Sequence, residues 1–505
     1  MKITFISMVD EFSGMSSRVL SSYVRSLGHK SRIIFLPTPT LLKSYSNVTL
    51  QEVVNILNDS DIVGITVITN LFFLAAQLSE AIHKNTRAKI IWGGIHATVR
   101  PLECLKFADW VCVGEGEPVL KDIMDGKPIS QILGLWYIEK GKIVENSFSP
   151  LIEDISTLPF QDFTFEDHFY INPIMGQSGE LTRELYREKC RRVYEDARGV
   201  YRCFYKTMTS RGCPFACTYC NNSIYHSMYT ARHYRKRSIS DVIKELENVC
   251  RENDFIELIH FADDSFFSRS SEEIIEFSRM YKERVSLPFK AITVPSAVTE
   301  EKLEALVEVG LCNLCMGIES GSLTALMRYN RKADTKTIYR AISMINRYRD
   351  RMSPPRYDII CHDPLGTIGE QRESIGFLLK IPRPYRFIYY NLMLFPGTKL
   401  NKIAKEKGLA IDEIKQAYRS SYHFEPHNSY DIILLLLNLS FFPRWIARFF
   451  LPKFYYKVSI AFPVLTMIVF RIITLLDNLQ FAINRIIVGD WECFRNYFIK
   501  MMRRK

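Results

Sequence analysis

The sequence predicts an α/β protein: an amino-terminal doubly wound, Rossmann-like domain, then a partial (β/α)6 barrel, then a helical carboxyl-terminal segment. Three observations predict it. Short uncharged apolar runs alternate with helical patterns over residues 1–145, as in a parallel sheet covered on both faces. A second series of strand–helix units occupies residues 201–400, joined to the first by a connector at 146–200. From 401 to 505 the chain reads as helical, and past residue 430 it becomes apolar and basic.

In the first domain residues 2–9 read as a strand and 16–27 as a helix closed by Gly28. Strands follow at 31–36, 62–69, 89–93 and 110–113, with a helix at 71–83. Ligands bind such sheets at the loops beyond the carboxyl ends of the strands. Those loops carry Asp10, Ser13 and Gly14, then Thr66 and Thr69, then Gly93, Gly94 and His96, and finally Gly114, Glu115 and Gly116. Glycine lets a bulky ligand approach the backbone, and small hydroxyls supply hydrogen bonds. In the connector, residues 180–198 carry both signs of charge and read as a solvated helical face.

The barrel opens with a loop that reads Arg-Gly-Cys-Pro-Phe-Ala-Cys-Thr-Tyr-Cys-Asn-Asn, with Cys213, Cys217 and Cys220 as its thiols. Three thiolates at this spacing can hold three irons of a 4Fe–4S cube, whose full ligation takes four cysteines. The fourth iron is left open to a small molecule. Zinc favours four ligands in paired arrangements, and His226 and His233 fit no common zinc spacing. Strands are expected at 255–261, 289–294, 312–318, 357–361 and 387–394, with helices between them. Asp263 and Asp264 follow the first of these, either as part of the site or as a helix cap. Cys312 and Cys315 lie in a strand and read as core.

The cysteine loop and its flanks resemble those of the radical S-adenosylmethionine (SAM) enzymes. The resemblance implies that the open iron chelates SAM, with Tyr219 beside the last cysteine. It also implies that Glu319 and Ser320, in Gly-Ile-Glu-Ser, contact SAM. One electron from the cluster then cleaves SAM to a 5′-deoxyadenosyl radical. The run Gly-Gly-Ile-His-Ala-Thr, with Pro101 and Val-Gly-Glu-Gly-Glu after it, resembles the cobalamin-binding domain that precedes many radical SAM domains. Corrinoid proteins with Asp-x-His-x-x-Gly ligate cobalt through that histidine, and here Phe12 takes its place. Cobalamin is therefore expected to bind without a lower histidine ligand, and His96 to line it. A flavodoxin-like domain that binds nothing is the alternative.

Together these features imply a cobalamin-dependent radical SAM enzyme similar to the hopanoid methylases and the anaerobic magnesium-protoporphyrin cyclases. Methylation of an unactivated carbon is the expected reaction and cyclisation or rearrangement the alternative. A corrinoid-binding sensor or carrier would need no cluster, so the intact cysteines argue against it. The expected partners are a small-molecule substrate and an electron donor such as flavodoxin or ferredoxin.

No signal peptide opens the sequence, and 12 cysteines in 505 residues do not suggest a disulfide scaffold, so a reducing cytoplasm is expected. Residues 431–505 hold 11 Lys and Arg against 4 Asp and Glu, a net +7 of the chain's +11. Basic residues interleaved with aromatics suit helices lying on a membrane interface, which would favour a lipid-like substrate. A helical cap on the barrel is the competing reading. No nucleic-acid recognition motif accompanies the charge.

Overall fold

The computed structural model describes residues 1–488 apart from 10–12, 40–41, 191–193, 196–198, 230–232, 414–416, 419–423 and 425. The chain divides into two compact units: Met1–Cys190 with Ser223–Ser238 and Met393–Ser421, and Arg191–Asn222 with Ile239–Leu392 and Tyr422–Lys505.

The first unit is built on β1 (Lys2–Ser7), β2 (Lys30–Phe35), β3 (Ile62–Thr66), β4 (Lys89–Gly93), β5 (Trp110–Cys112), β6 (Leu135–Glu139), β7 (Lys142–Glu145), β8 (His168–Ile171) and β9 (Ser178–Glu180). They form one sheet in the order β7-β6-β5-β4-β3-β1-β2-β8-β9. Strands β1 to β5 pair in parallel, and β1 lies between β2 and β3. The connections reverse direction there, and in sheets of this kind ligands bind beyond the carboxyl ends of the strands at such a switch point. Alternate residues face opposite layers. Ile6, Ile34, Val63, Ile65 and Trp92 enter one core, and Ile3, Phe5, Ile62 and Ile91 the other. Burying each such side chain contributes about 1.5–3 kcal/mol.

Residues 146–200 do more than connect. Strands β8 and β9 extend the sheet beyond β2, and Asp162 is fully enclosed. Its carboxylate accepts from Ser21 Oγ at 2.6 Å and lies 3.0 Å from Arg25 Nε and 3.3 Å from His168 Nε2. Burial opposes its charge, but His168, Ser21 and Thr164 outweigh that and hold its pKa well below the usual carboxylate range. The charged stretch expected at 180–198 contains a helix at Arg183–Cys190.

The second unit carries β10 (Phe204–Thr207), β11 (Leu258–Phe261), β12 (Phe289–Thr293), β13 (Leu311–Glu319), β14 (Arg356–Cys361) and β15 (Arg386–Asn391). These six pair in parallel and in sequence order, the open barrel that the strand–helix count predicts. On the helix-facing side, Phe261 and Phe289 pack with Phe277 and Tyr281 of the helix Ser271–Arg284. Tyr205 and Thr207 donate to buried Glu245 at 2.6 and 3.2 Å. Lys206, His260 and Lys290 alternate with these residues and lie in register across three strands on the opposite face. Burial first, then Lys290, Lys206 and Arg356, push the His260 pKa well below its ordinary value, so that ring is neutral.

The two readings of the tail divide between its helices. Helix Ser429–Leu437 packs as a cap, burying Tyr430, Ile433, Leu434 and Leu437. Asn438 covers the edge of β15, accepting from Phe387 N and donating to Phe387 O, each at 2.8 Å. Helix Pro463–Val488 does the opposite. Pro463 starts it, as proline tolerates the first helical turn, and Arg471 does not interrupt it. Its stretch Thr466–Asn484 is long and apolar enough to cross a membrane, yet mostly exposed.

One charged pair anchors the cap. His362, at the end of β14 with φ 49°, lies 3.1 Å through Nε2 from the fully buried Asp431 Oδ2, while Nδ1 is 2.7 Å from Asn391 Oδ1. Burial disfavours the charged ring, but Asp431 and Asn391 outweigh it and raise the His362 pKa. A raised pKa stabilises the fold fully below the ring's unfolded value, and that contribution is lost as pH rises through the folded value. The gap in Tm between wild type and His362→Gln should therefore be largest below about pH 6.5 and shrink as pH rises above it. Thermal melts that show it widening would contradict this pairing.

Candidate active site

The cysteine loop follows β10 and has little regular structure, so its backbone groups depend on partners elsewhere in the second unit. Asp263, beyond β11, accepts from Thr209 N at 3.0 Å, from Thr209 Oγ1 at 2.9 Å and from Ser210 Oγ. It is a fastener for the loop and not a helix cap; Ser270 caps the helix that follows. Arg269, also enclosed, donates to Thr209 O at 2.7 Å. At the far side, Thr218 N donates to Tyr329 O at 3.0 Å and Thr218 Oγ1 to Arg328 O at 2.8 Å. Asn330 Nδ2 donates to Ala216 O at 2.8 Å, and Arg331 Nη1 lies 3.6 Å from Cys217 Sγ. Arg328 is held in turn by Asp363 and Glu370, and Tyr329 Oη donates to Asp363 at 2.9 Å. The segment Arg328–Arg331 is thus a clamp that sequence reading missed. Its signal was the pair of arginines spaced three apart after the Gly-Ile-Glu-Ser strand.

Three thiols on one loop, none tied up in a disulfide, are the donor type that an iron–sulfur cube requires. Cys213 and Cys217 are buried and Cys220 partly so. Burial pushes the Cys213 and Cys220 thiols up to about 12, so each is neutral until a metal displaces its proton. Among the described residues, no three His, Cys, Asp or Glu side chains converge to hold a single ion. A cube's thiolates bind different irons, so its ligand set is spread and not convergent. Asp264 stands beside the cysteines. Burial, and then Asp263, raise its pKa to about 6 against the Asn222 hydrogen bond, which lowers it.

Of the residues expected to meet SAM, the structure brings Tyr219 and Glu319 together. Tyr219 packs edge-on against Tyr329 with ring centroids 5.4 Å apart, and its side chain bonds to Glu319. Glu319 has φ 66°, and its carboxylate folds back over Gly317. A Cβ at Gly317 would lie 2.3 Å from Glu319 Oε1, so a larger residue there would displace that carboxylate. Burial and Asp358 raise the Glu319 pKa to about 7, while Arg331 and Tyr219 pull it down. Ser320 is adjacent, but its hydroxyl is shared with Ser374 Oγ at 2.7 Å and accepts from Ser322 N. Cys312 and Cys315 are core residues as expected, with Cys315 Sγ 3.3 Å from Asp358 Oδ2.

The loops of the first unit gather at the ends of β3, β4 and β5. Asp10 and Phe12 lie outside the described residues. Ser13 is buried and its carbonyl accepts from Arg18; Gly14, with φ 47°, opens the helix Met15–Ser26. Thr66 is opposite Gly93, and Thr69 Oγ1 is 3.1 Å from His96 Nδ1. His96 is fully enclosed, between Phe72 and Tyr418, and burial and then Arg100 lower its pKa to about 4. Gly94 has φ 91°, and an added Cβ would sit 3.0 Å from Val67 O. Gly114 N donates to the Thr98 hydroxyl at 3.1 Å, and Gly116 begins the helix Gly116–Met124. Glu115 is bound by Arg235 at 2.6 and 3.0 Å. The helix after the cysteines, Asn222–Tyr229, supplies Tyr225, whose hydroxyl bonds Thr98.

Single changes of Cys213, Cys217 or Cys220 to Ala should abolish the visible absorbance of the reconstituted cluster and all SAM cleavage, with corrinoid uptake retained. Cys312→Ala and Cys315→Ala should keep the absorbance; loss of iron there would show that the ligands are misassigned. In the first unit, Gly94→Ala should lower Tm because its backbone is left-handed. Gly93→Leu should weaken cobalamin uptake, while Gly93→Ala, whose Cβ would meet only Cys112 Cβ at 3.8 Å, should leave Tm unchanged. Equal uptake by wild type and Gly93→Leu in an absorbance titration would remove this loop from the corrinoid site.

Comparison with known proteins agrees with both units. The B12 binding domain matches residues 1–124 and the radical SAM superfamily residues 207–375. An uncharacterized methyltransferase of Pyrococcus horikoshii is 29% identical over 381 residues, 72% of this chain and 74% of that protein. The anaerobic magnesium-protoporphyrin IX monomethyl ester cyclase of Cereibacter sphaeroides is 25% identical over 394 residues, 72% of this chain and 59% of that protein. In fold, the chain is similar to the cobalamin-dependent SAM radical enzyme OxsB with aqua-cobalamin and SAM bound. The TM-score is 0.64 at 16% identity, covering 87% of this chain and 67% of that one. The chain thus carries a B12 binding domain followed by a radical SAM superfamily domain, and the two imply a 4Fe–4S cluster, SAM and cobalamin as cofactors.

Proposed function

We propose that this enzyme transfers a methyl group to an unactivated carbon of a hydrophobic, lipid-like substrate at an anionic membrane surface. The observation that carries the chemistry is the cysteine loop on the same chain as a corrinoid fold. When bound, SAM and cobalamin supply a hydrogen-abstracting radical and a transferable methyl group. The chain's residues bind and orient. Cys213, Cys217 and Cys220 would hold the cluster, Tyr219, Glu319 and Ser320 the polar end of SAM, and the loops at the ends of β1, β3, β4 and β5 the corrinoid. The methyltransferase relative supports this reading.

The substrate class rests on the tail. Trp445, Phe454 and Ile487 are 71%, 67% and 75% exposed, and Val464, Ile468, Leu475 and Leu479 are also exposed along one helix. Lys453, Lys457 and Arg471 are exposed among them. An apolar face with interspersed cations suits an interface of anionic lipid, where each basic residue contributes about 1 kcal/mol. A cytoplasmic enzyme bound peripherally to the membrane accommodates both features. Cyclisation is the second reading, favoured by the 25% identity to the cyclase.

Two measurements test the proposal. Anaerobically reconstituted enzyme turning over substrate should release S-adenosylhomocysteine together with 5′-deoxyadenosine; 5′-deoxyadenosine alone would favour cyclisation or rearrangement. Full-length protein should sediment with anionic vesicles and be partly released by salt, because screening weakens the electrostatic share. Protein that stays in the supernatant would remove the argument for a lipid substrate.

A further inference from the structure

We propose that Arg331 sets the reduction potential of the cluster, making it easier to reduce through a positive charge and an N–H···S hydrogen bond at Cys217. The inference rests on the reading that the cysteine loop holds a 4Fe–4S cluster. Arg331 is not among the residues that sequence reasoning assigns to the site. Its side chain is only 7% exposed, and its guanidinium is fixed from several directions. Nη1 is 3.6 Å from Cys217 Sγ and 4.0 Å from Glu319 Oε1, while Nη2 donates to Gly317 O. The backbone aims it there. Helix Leu323–Arg328 ends, Asn330 takes φ 53° and donates to Ala216 O, and Arg331 N returns to Leu326 O at 2.9 Å.

Reduction adds one negative charge to a cluster that thiolate ligation already makes electron-rich. A buried cation and a donated hydrogen bond stabilise the reduced state more than the oxidised one, and hydrogen bonds to the sulfurs are among the factors that set cluster potentials. Low exposure strengthens the effect, since little water screens the charge. Arginine suits the position because its planar fork reaches Cys217 and Gly317 O at once, which a lysine ammonium cannot. Arg331 is therefore a positioning and tuning residue that acts through the cysteine, and its signature is a potential.

The test is a redox titration of full-length, anaerobically reconstituted protein, followed by electron paramagnetic resonance, with iron and sulfide measured on the same samples. Arg331→Gln should be at least tenfold harder to reduce, a potential lower by about 59 mV for a one-electron couple. Arg331→Lys, which keeps the charge and loses the fork, should fall between the two. A Gln variant that holds the wild-type amount of iron and titrates at the wild-type potential would overturn the proposal. Should the Gln variant take up no iron, Arg331→Lys decides, and a wild-type potential there overturns it equally. Wild-type protein that takes up no iron–sulfur cluster would instead overturn the reading beneath the proposal, and the proposal with it.

Discussion

A loop with almost no secondary structure carries Cys213, Cys217 and Cys220, and it is held in place by hydrogen bonds borrowed from two other segments. Asp263 ties its start to the end of β11, and the segment Arg328–Arg331 ties its middle to the end of β13. Each neutral bond contributes only about 0.5–1.5 kcal/mol net, but several together fix a short loop whose own ladder bonds are missing. The clamp is itself anchored, since Arg328 and Tyr329 lean on Asp363 beyond β14. Four strand ends therefore determine where the thiols stand. This is why catalytic groups collect at one end of such a sheet.

The same enclosure shapes the electrostatics. Burial keeps the Cys213 and Cys220 thiols protonated and lifts Glu319 into a range where it can exchange a proton. Arg331 sits among these groups as a permanent cation. In the first unit, packing does comparable work. Positive φ at Gly94 and Gly114 lets the loops turn sharply at the carboxyl ends of β4 and β5. His96 supports that arrangement from inside, as a neutral ring held by Thr69 and surrounded by aromatics.

Much of this was legible in the sequence because its signals are local. Apolar runs between helical patterns mark β1 to β5 of the first sheet and β11 to β15 of the second, and the cysteine spacing points to iron–sulfur chemistry without reference to the fold. What escaped depends on long-range contacts. Strand β8 is four residues long and finds its place by pairing with β2 and β9, so residues 146–200 read as a connector. Asp263 was indistinguishable from a helix cap, because both roles put a carboxylate just past a strand. Glu115 reads as a ligand-facing acid until its pairing with Arg235, 120 residues away, is visible. The tail's composition is the same in a packed cap and on an exposed helix, and only burial separates Ser429–Leu437 from Pro463–Val488.

The claim on which the rest stands is that Cys213, Cys217 and Cys220 leave one iron open for SAM. Electron paramagnetic resonance of the reduced, reconstituted enzyme tests it most directly. One 4Fe–4S cluster signal per chain is predicted, and its shape should change on adding SAM, as the open iron gains new ligands. A signal unaffected by SAM would contradict the account, as would a protein that retains zinc and gives no signal at all.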